Sequence, residues 1–84
     1  MTNKEERAIM ARINPEFMGH MKKSVVLEYP RLAADESYDE ARIKSELRRI
    51  KIALSDAISA GESTEDLLVK REALYLLAED KGLM

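Results

Sequence analysis

Apolar residues recur at helical spacing in four stretches of the chain. The breaks between them fall at Asn14-Pro15, from Pro30 through Ser37, and at Gly61-Glu62-Ser63. The third stretch is the most regular. Ile43, Leu47, Ile50, Leu54 and Ala57 follow one another at steps of four, three, four and three, a narrow heptad-like stripe that Ile58 widens. Ser37 and Glu40 have the spacing of a capping box, and Asp35, Glu36, Asp39 and Glu40 bring negative charge to the positive end of the helix dipole. Gly61 can close the helix in the left-handed conformation. The pattern predicts a helix over 38–60, about 35 Å long at a rise of 1.5 Å per residue.

Ser63 is placed to cap a fourth helix over 64–81, with Glu65 and Asp66 in its first turn and Gly82 at its end. So short a connection predicts that the third and fourth helices are antiparallel neighbours. The fourth is apolar on several sides. Leu67, Leu74 and Ala78 share one face, Val69, Ala73 and Leu76 a second, and Leu68 and Tyr75 a third. A helix of that kind needs more than one neighbour, and in a short chain one of them can come from another molecule.

The N-terminal third is less regular. Thr2 with Glu5, and Asn3 with Glu6, have capping-box spacing before a short helix over 3–13 that carries Ile9, Met10 and Ile13. Asn14 and Pro15 then read as the start of a second helix, with Phe17, Met18, Met21, Val25 and Tyr29 on one side. Gly19 weakens that helix, and residues 24–29, rich in β-branched side chains, could form a short strand instead. With no second strand to pair with, helix is preferred, ending at Pro30. The expected fold is all-α: one domain over 1–84, a small helical bundle built on an antiparallel hairpin (38–60 and 64–81), with one or two N-terminal helices packed across it.

Composition narrows the function. The 84 residues include 20 of Leu, Ile, Val and Phe, enough for a folded domain. The net charge of −2, from 14 basic and 16 acidic residues, argues against a polycation that coats nucleic acid. The absence of cysteine excludes disulfides, thiolate metal sites and thiol catalysis. The single histidine, His20, has no partner in the sequence for acid–base or nucleophilic work, and reads as solvated or packed. The acidic run of Asp35, Glu36, Asp39 and Glu40 lacks the glycine and ligand spacing of a calcium loop and reads as helix capping. Met10, Met18 and Met21 read as core filling ahead of a partner surface. No catalytic, cofactor-binding or metal-binding residue is therefore assigned. No apolar run is long enough to span a membrane, the charged N-terminal stretch leads into no apolar segment of a signal peptide, and a cytoplasmic location is expected.

One constellation remains. Arg42, Lys44, Arg48, Arg49 and Lys51, against the single Glu46, form a basic face opposite the apolar stripe, and Ile52 lies within it. Arginines around an exposed isoleucine have the composition of a protein-binding site. The expectation is a small non-enzymatic interaction module (adaptor, chaperone, inhibitor or minor component of an assembly, bacterial or phage in origin), with Lys44, Arg48, Arg49 and Ile52 on the partner. Leu68, Val69, Ala73, Tyr75 and Leu76 are the residues expected to join two copies in a homodimer. The alternative is an RNA- or other nucleic-acid-binding hairpin that uses the basic face of residues 42–51. A helix-turn-helix is disfavoured, because Glu65 and Asp66 would open the reading helix toward phosphates.

Overall fold

A computed structural model describes residues 2–83. It contains four helices, α1 (Asn3–Arg12), α2 (Gly19–Ala34), α3 (Glu40–Ala60) and α4 (Glu65–Asp80), and no strand among the described residues. The fold is a small all-α bundle.

The caps follow local chemistry. The Thr2 hydroxyl accepts the Glu5 N–H at 3.2 Å and starts α1. At α3 the cap is Asp39, which accepts the Arg42 N–H at 2.8 Å, and not Ser37. Ser37 is engaged elsewhere: its N–H and hydroxyl both donate to Asp35 Oδ1, at 2.9 and 2.6 Å. That turn delays α3 to Glu40, two residues after the expected start. At the other end Gly61 takes φ 71°, while the Glu62 and Gly61 N–H groups donate to the Ala57 and Ile58 carbonyls. This is a Schellman motif. A second one ends α4, with Gly82 at φ 73° and the Leu83 N–H donating to the Ala78 carbonyl, and it folds Leu83 back against the core.

Two expectations for the N-terminal third are corrected. Residues 14–18 do not begin a helix. The Asn14 side chain accepts the Glu16 N–H at 3.0 Å and its carbonyl accepts the Phe17 N–H, so Asn14-Pro15-Glu16-Phe17 is a turn, with Pro15 at its second position. Gly19 thus stands at the start of α2, where it weakens the helix less than it would in the interior. Residues 24–29 are helical, and Pro30 lies inside α2 rather than ending it. The proline forfeits the bond to the Val26 carbonyl, at a cost of about 3 kcal/mol. The turn beyond it buries Leu32, which returns about 2 kcal/mol.

α3 and α4 form the expected antiparallel hairpin, but α4 packs more extensively along α2 than along α3. α2 and α4 run in the same direction. His20 Nε2 meets Glu65 Oε1 at 2.5 Å near their first turns, and Tyr29 donates its hydroxyl proton to Asp80 toward their last. The link between α1 and α2 descends along α4: Arg12 sits at Leu76 to Asp80, the Asn14 N–H donates to Glu72 at 2.8 Å, and His20 reaches Glu65. It carries Ile13 into the core and Phe17 against it.

α4 is consequently the central helix. Ala73, Leu74, Leu76, Leu77 and Ala78 are all buried, together with Val25, Val26 and Leu32 of α2 and Ile43, Ile50 and Leu54 of α3. Its several apolar sides are covered by the chain's own α2, α3 and connecting strap, so the expectation that one side awaits another molecule is not needed. The molecule measures 39 × 30 × 19 Å. Its thin dimension equals about two helix diameters. A slab only two helices deep leaves its surface grooves without a roof.

Candidate functional site

One of these grooves lies between α3 and α4. Its volume is about 760 Å³, and it is lined by Leu47, Arg48, Lys51, Leu54, Ser55, Ile58 and Ser59 of α3 and by Arg71 and Tyr75 of α4. On α3, Leu47, Lys51, Leu54 and Ile58 follow at steps of four, three and four, so every turn presents at least one residue to the groove. Arg71 and Tyr75, one turn apart on α4, form the opposite wall. Leu54 is the floor, reaching into the core. Ile58 stands at the mouth with 70% of its surface exposed. Covering that side chain would be worth about 2 kcal/mol.

The electrostatics are one-sided. Arg48, Lys51 and Arg71 line the groove, and no carboxylate does. Among the described residues none of the three is ion-paired. The Arg71 guanidinium instead lies over one face of the Tyr75 ring, 5.7 Å from its centroid. Nearby acids are engaged elsewhere: Glu46 pairs with Lys70 at 3.3 Å, bridging α3 to α4.

The residues singled out from sequence are thereby split. Arg48 lines the groove. Lys44 is drawn toward the start of α3 by Glu40, at 2.7 Å. Arg49 and Ile52 are exposed and do not line the groove; at 100° per residue Arg49 lies about 160° around the helix from Lys51, whereas Ile52, one turn beyond Arg48, lies beside the groove's edge. Arg42 is occupied too. Its side chain donates to the Ser37 hydroxyl, approaches Asp35 at 3.8 Å, and stacks over Tyr38 at 3.9 Å from the ring centroid. The basic face of residues 42–51 is thus three patches, not one. The Ser37 hydroxyl, the Ser37 N–H and, after them, Arg42 hold the Asp35 carboxyl below its ordinary value.

The proposed self-association set also needs correction. Ala73 is 0% and Leu76 1% exposed, and neither can reach a second molecule. Leu68 and Val69 are half-buried against the same core, and Tyr75 belongs to the groove. Periodicity showed that α4 has many apolar sides; it could not show that α2 covers them. Ile58 and Arg71 were missed as site residues. The signal for Ile58 was present, since it continues the Leu47, Lys51, Leu54 row by one turn.

The remaining candidates take structural places. His20 is exposed beside Glu65. Asp39 caps α3, and Glu40 pairs with Lys44. No group of three metal-ligating side chains converges among the described residues. Met21 is buried, Met10 half-buried, and Met18 63% exposed. No helix among the described residues is long and apolar enough to cross a membrane. Comparison with family models, curated proteins and solved structures finds no match for the chain.

Proposed function

We propose that the chain is a small non-enzymatic protein-interaction module, working in the cytoplasm, that holds a segment of another protein in the α3/α4 groove. The observation that carries this reading is the combination of an apolar lining with a cationic rim that is unpaired among the described residues: Leu47, Leu54, Ile58 and Tyr75 beside Arg48, Lys51 and Arg71. An apolar anchor surrounded by charge is how protein interfaces obtain both affinity and orientation. A phosphate backbone would use the cations and leave Ile58 uncovered. Base stacking would have a single aromatic ring in the groove lining, Tyr75, and Arg71 already lies over one of its faces.

The test is site-directed photo-crosslinking in the source cells, with a crosslinking residue in place of Ser59 at the groove wall. A discrete protein adduct that survives nuclease treatment and disappears in Ile58→Asp is the expected outcome. Adducts that vanish with nuclease would transfer the groove to nucleic acid, and no adduct from Ser59 or Ser55 would overturn the reading.

A further inference from the structure

The groove also constrains what fills it. We infer, resting on the interaction-module reading, that its occupant is an acidic amphipathic α-helix of a partner protein, laid along α3 and α4.

Three features of the groove lead there. The first is its period. The lining of α3 recurs at every turn from Leu47 to Ser59, a length of about 18 Å. A guest helix of about three turns matches that length, and its apolar residues at i, i+4, i+7 and i+11 fall in step with the row. The second is backbone chemistry. The lining offers apolar surface along its length, with Leu47 beside the Leu54 floor and Ile58 at the mouth. An extended peptide would bring unpaired N–H and C=O groups against that surface, whereas a helix satisfies its own. Strand addition is excluded because the described fold has no sheet edge to extend.

The third is charge. Arg48 and Lys51 border the groove on α3 and Arg71 on α4, with no carboxylate among the lining residues. Glu or Asp flanking the guest's apolar row would meet cations on both sides. The same three charges weigh against a second copy of this chain. Two-fold pairing brings a surface onto itself, which would set Arg48, Lys51 and Arg71 against their own equivalents. The docked helix would complete the slab, covering the outer side of the hairpin as α2 covers α4.

The experiment uses the full chain and three labelled peptides of about fourteen residues. One has Leu at i, i+4, i+7 and i+11 with Glu on both flanks. In the second, Lys replaces Glu. The third has the composition of the first, rearranged so that no face is apolar. Binding is followed by fluorescence anisotropy and by the amide spectrum of the protein.

Preferential binding of the Glu peptide is expected, with the largest amide shifts at Leu47 to Ser59 and at Arg71 to Tyr75. Ile58→Asp should weaken it about tenfold or more, because it replaces an apolar contact at the mouth with a carboxylate that faces an acidic guest. The pair Arg48→Glu and Lys51→Glu should reverse the preference toward the Lys peptide. Arg48, Lys51 and Ile58 lie on the surface, and an unchanged circular dichroism spectrum and melting temperature would show that each variant is folded.

Equal binding of the Lys or rearranged peptide would overturn the inference. So would indifference to Ile58→Asp, or an oligouridylate probe that gives the same amide shifts more strongly than the Glu peptide. A groove-dependent crosslink in cells to a segment that is neither acidic nor helical would overturn this inference and leave the interaction-module reading standing. Absence of any groove crosslink would remove that reading first.

Discussion

α4 is packed on two sides, and the two sides are finished differently. Toward α2 and the strap, polar groups close the contact at both ends. His20 meets Glu65 at one end. At the other, Arg12 donates to Asp80 at 2.8 Å, to the Leu76 carbonyl at 3.2 Å and to Glu79 at 3.4 Å, while Tyr29 donates to Asp80. Toward α3, Lys70 and Glu46 make one bridge, beside a groove whose three cations are unpaired among the described residues. Opposite charges close the first side. On the second side the groove carries only one sign of charge beside its apolar lining.

The largest expected effect breaks the core that both sides share. Leu74 is fully buried, and Leu74→Ala should destabilise the chain by about 2 to 5 kcal/mol, read as a lower urea midpoint. In a chain this short, that is a large part of the total. Next comes the clasp on the α2 side. Arg12→Ala strands Asp80 and Tyr29 and should lose about 1 kcal/mol, a figure already reduced for the guanidinium's partial exposure.

The clasp has a pH signature. Partial burial, and then the bond to Asp80, push the Tyr29 hydroxyl above its ordinary value, with Arg12 opposing. A raised pKa means that the folded state holds the proton more tightly. The contribution is therefore full below about pH 10 and is lost as pH climbs through the folded value. Tyr29→Phe should flatten the alkaline fall in stability, measured by urea titration at several pH values.

On the α3 side, Gly61→Ala tests the hairpin turn. At φ 71° a Cβ is strained, and a loss of about 1 kcal/mol is expected in the same assay. The smallest effect sharpens the comparison most. Ile58→Ala should change stability by less than about 0.5 kcal/mol, because the side chain is exposed at the groove mouth. A large loss there would mean that the α3 side is closed by its own residues, as the α2 side is.

Much of the secondary structure was legible in the residues because the forces that set it are local. A cap joins groups three residues apart, and a helical bond spans four. Thr2, Gly61 and Gly82 therefore marked helix ends correctly, and the stripe of Ile43, Ile50, Leu54 and Ala57 marked the buried side of α3. Ser37 misled because Asp35, two residues away, competes for it. Pro30 misled because its local cost is offset by Leu32, whose burial depends on distant residues.

The candidate site was half legible, since Arg48 was named while Ile58 and Arg71 were not. What the sequence by itself determined was four amphipathic or apolar segments, the helix ends at Thr2, Gly61 and Gly82, and the excess of positive charge along the middle of α3; the starts expected at Asn14, Ser37 and Ser63 fall instead after Met18, Asp39 and Thr64. The tertiary structure decided which neighbour covers which side. It ran α2 alongside α4, buried Ala73 and Leu76, and left Leu47, Lys51, Ile58, Arg71 and Tyr75 around one groove. The physical reason is that periodicity fixes the direction in which a side chain leaves its helix. What it meets there depends on contacts between residues tens of positions apart, which no local pattern encodes.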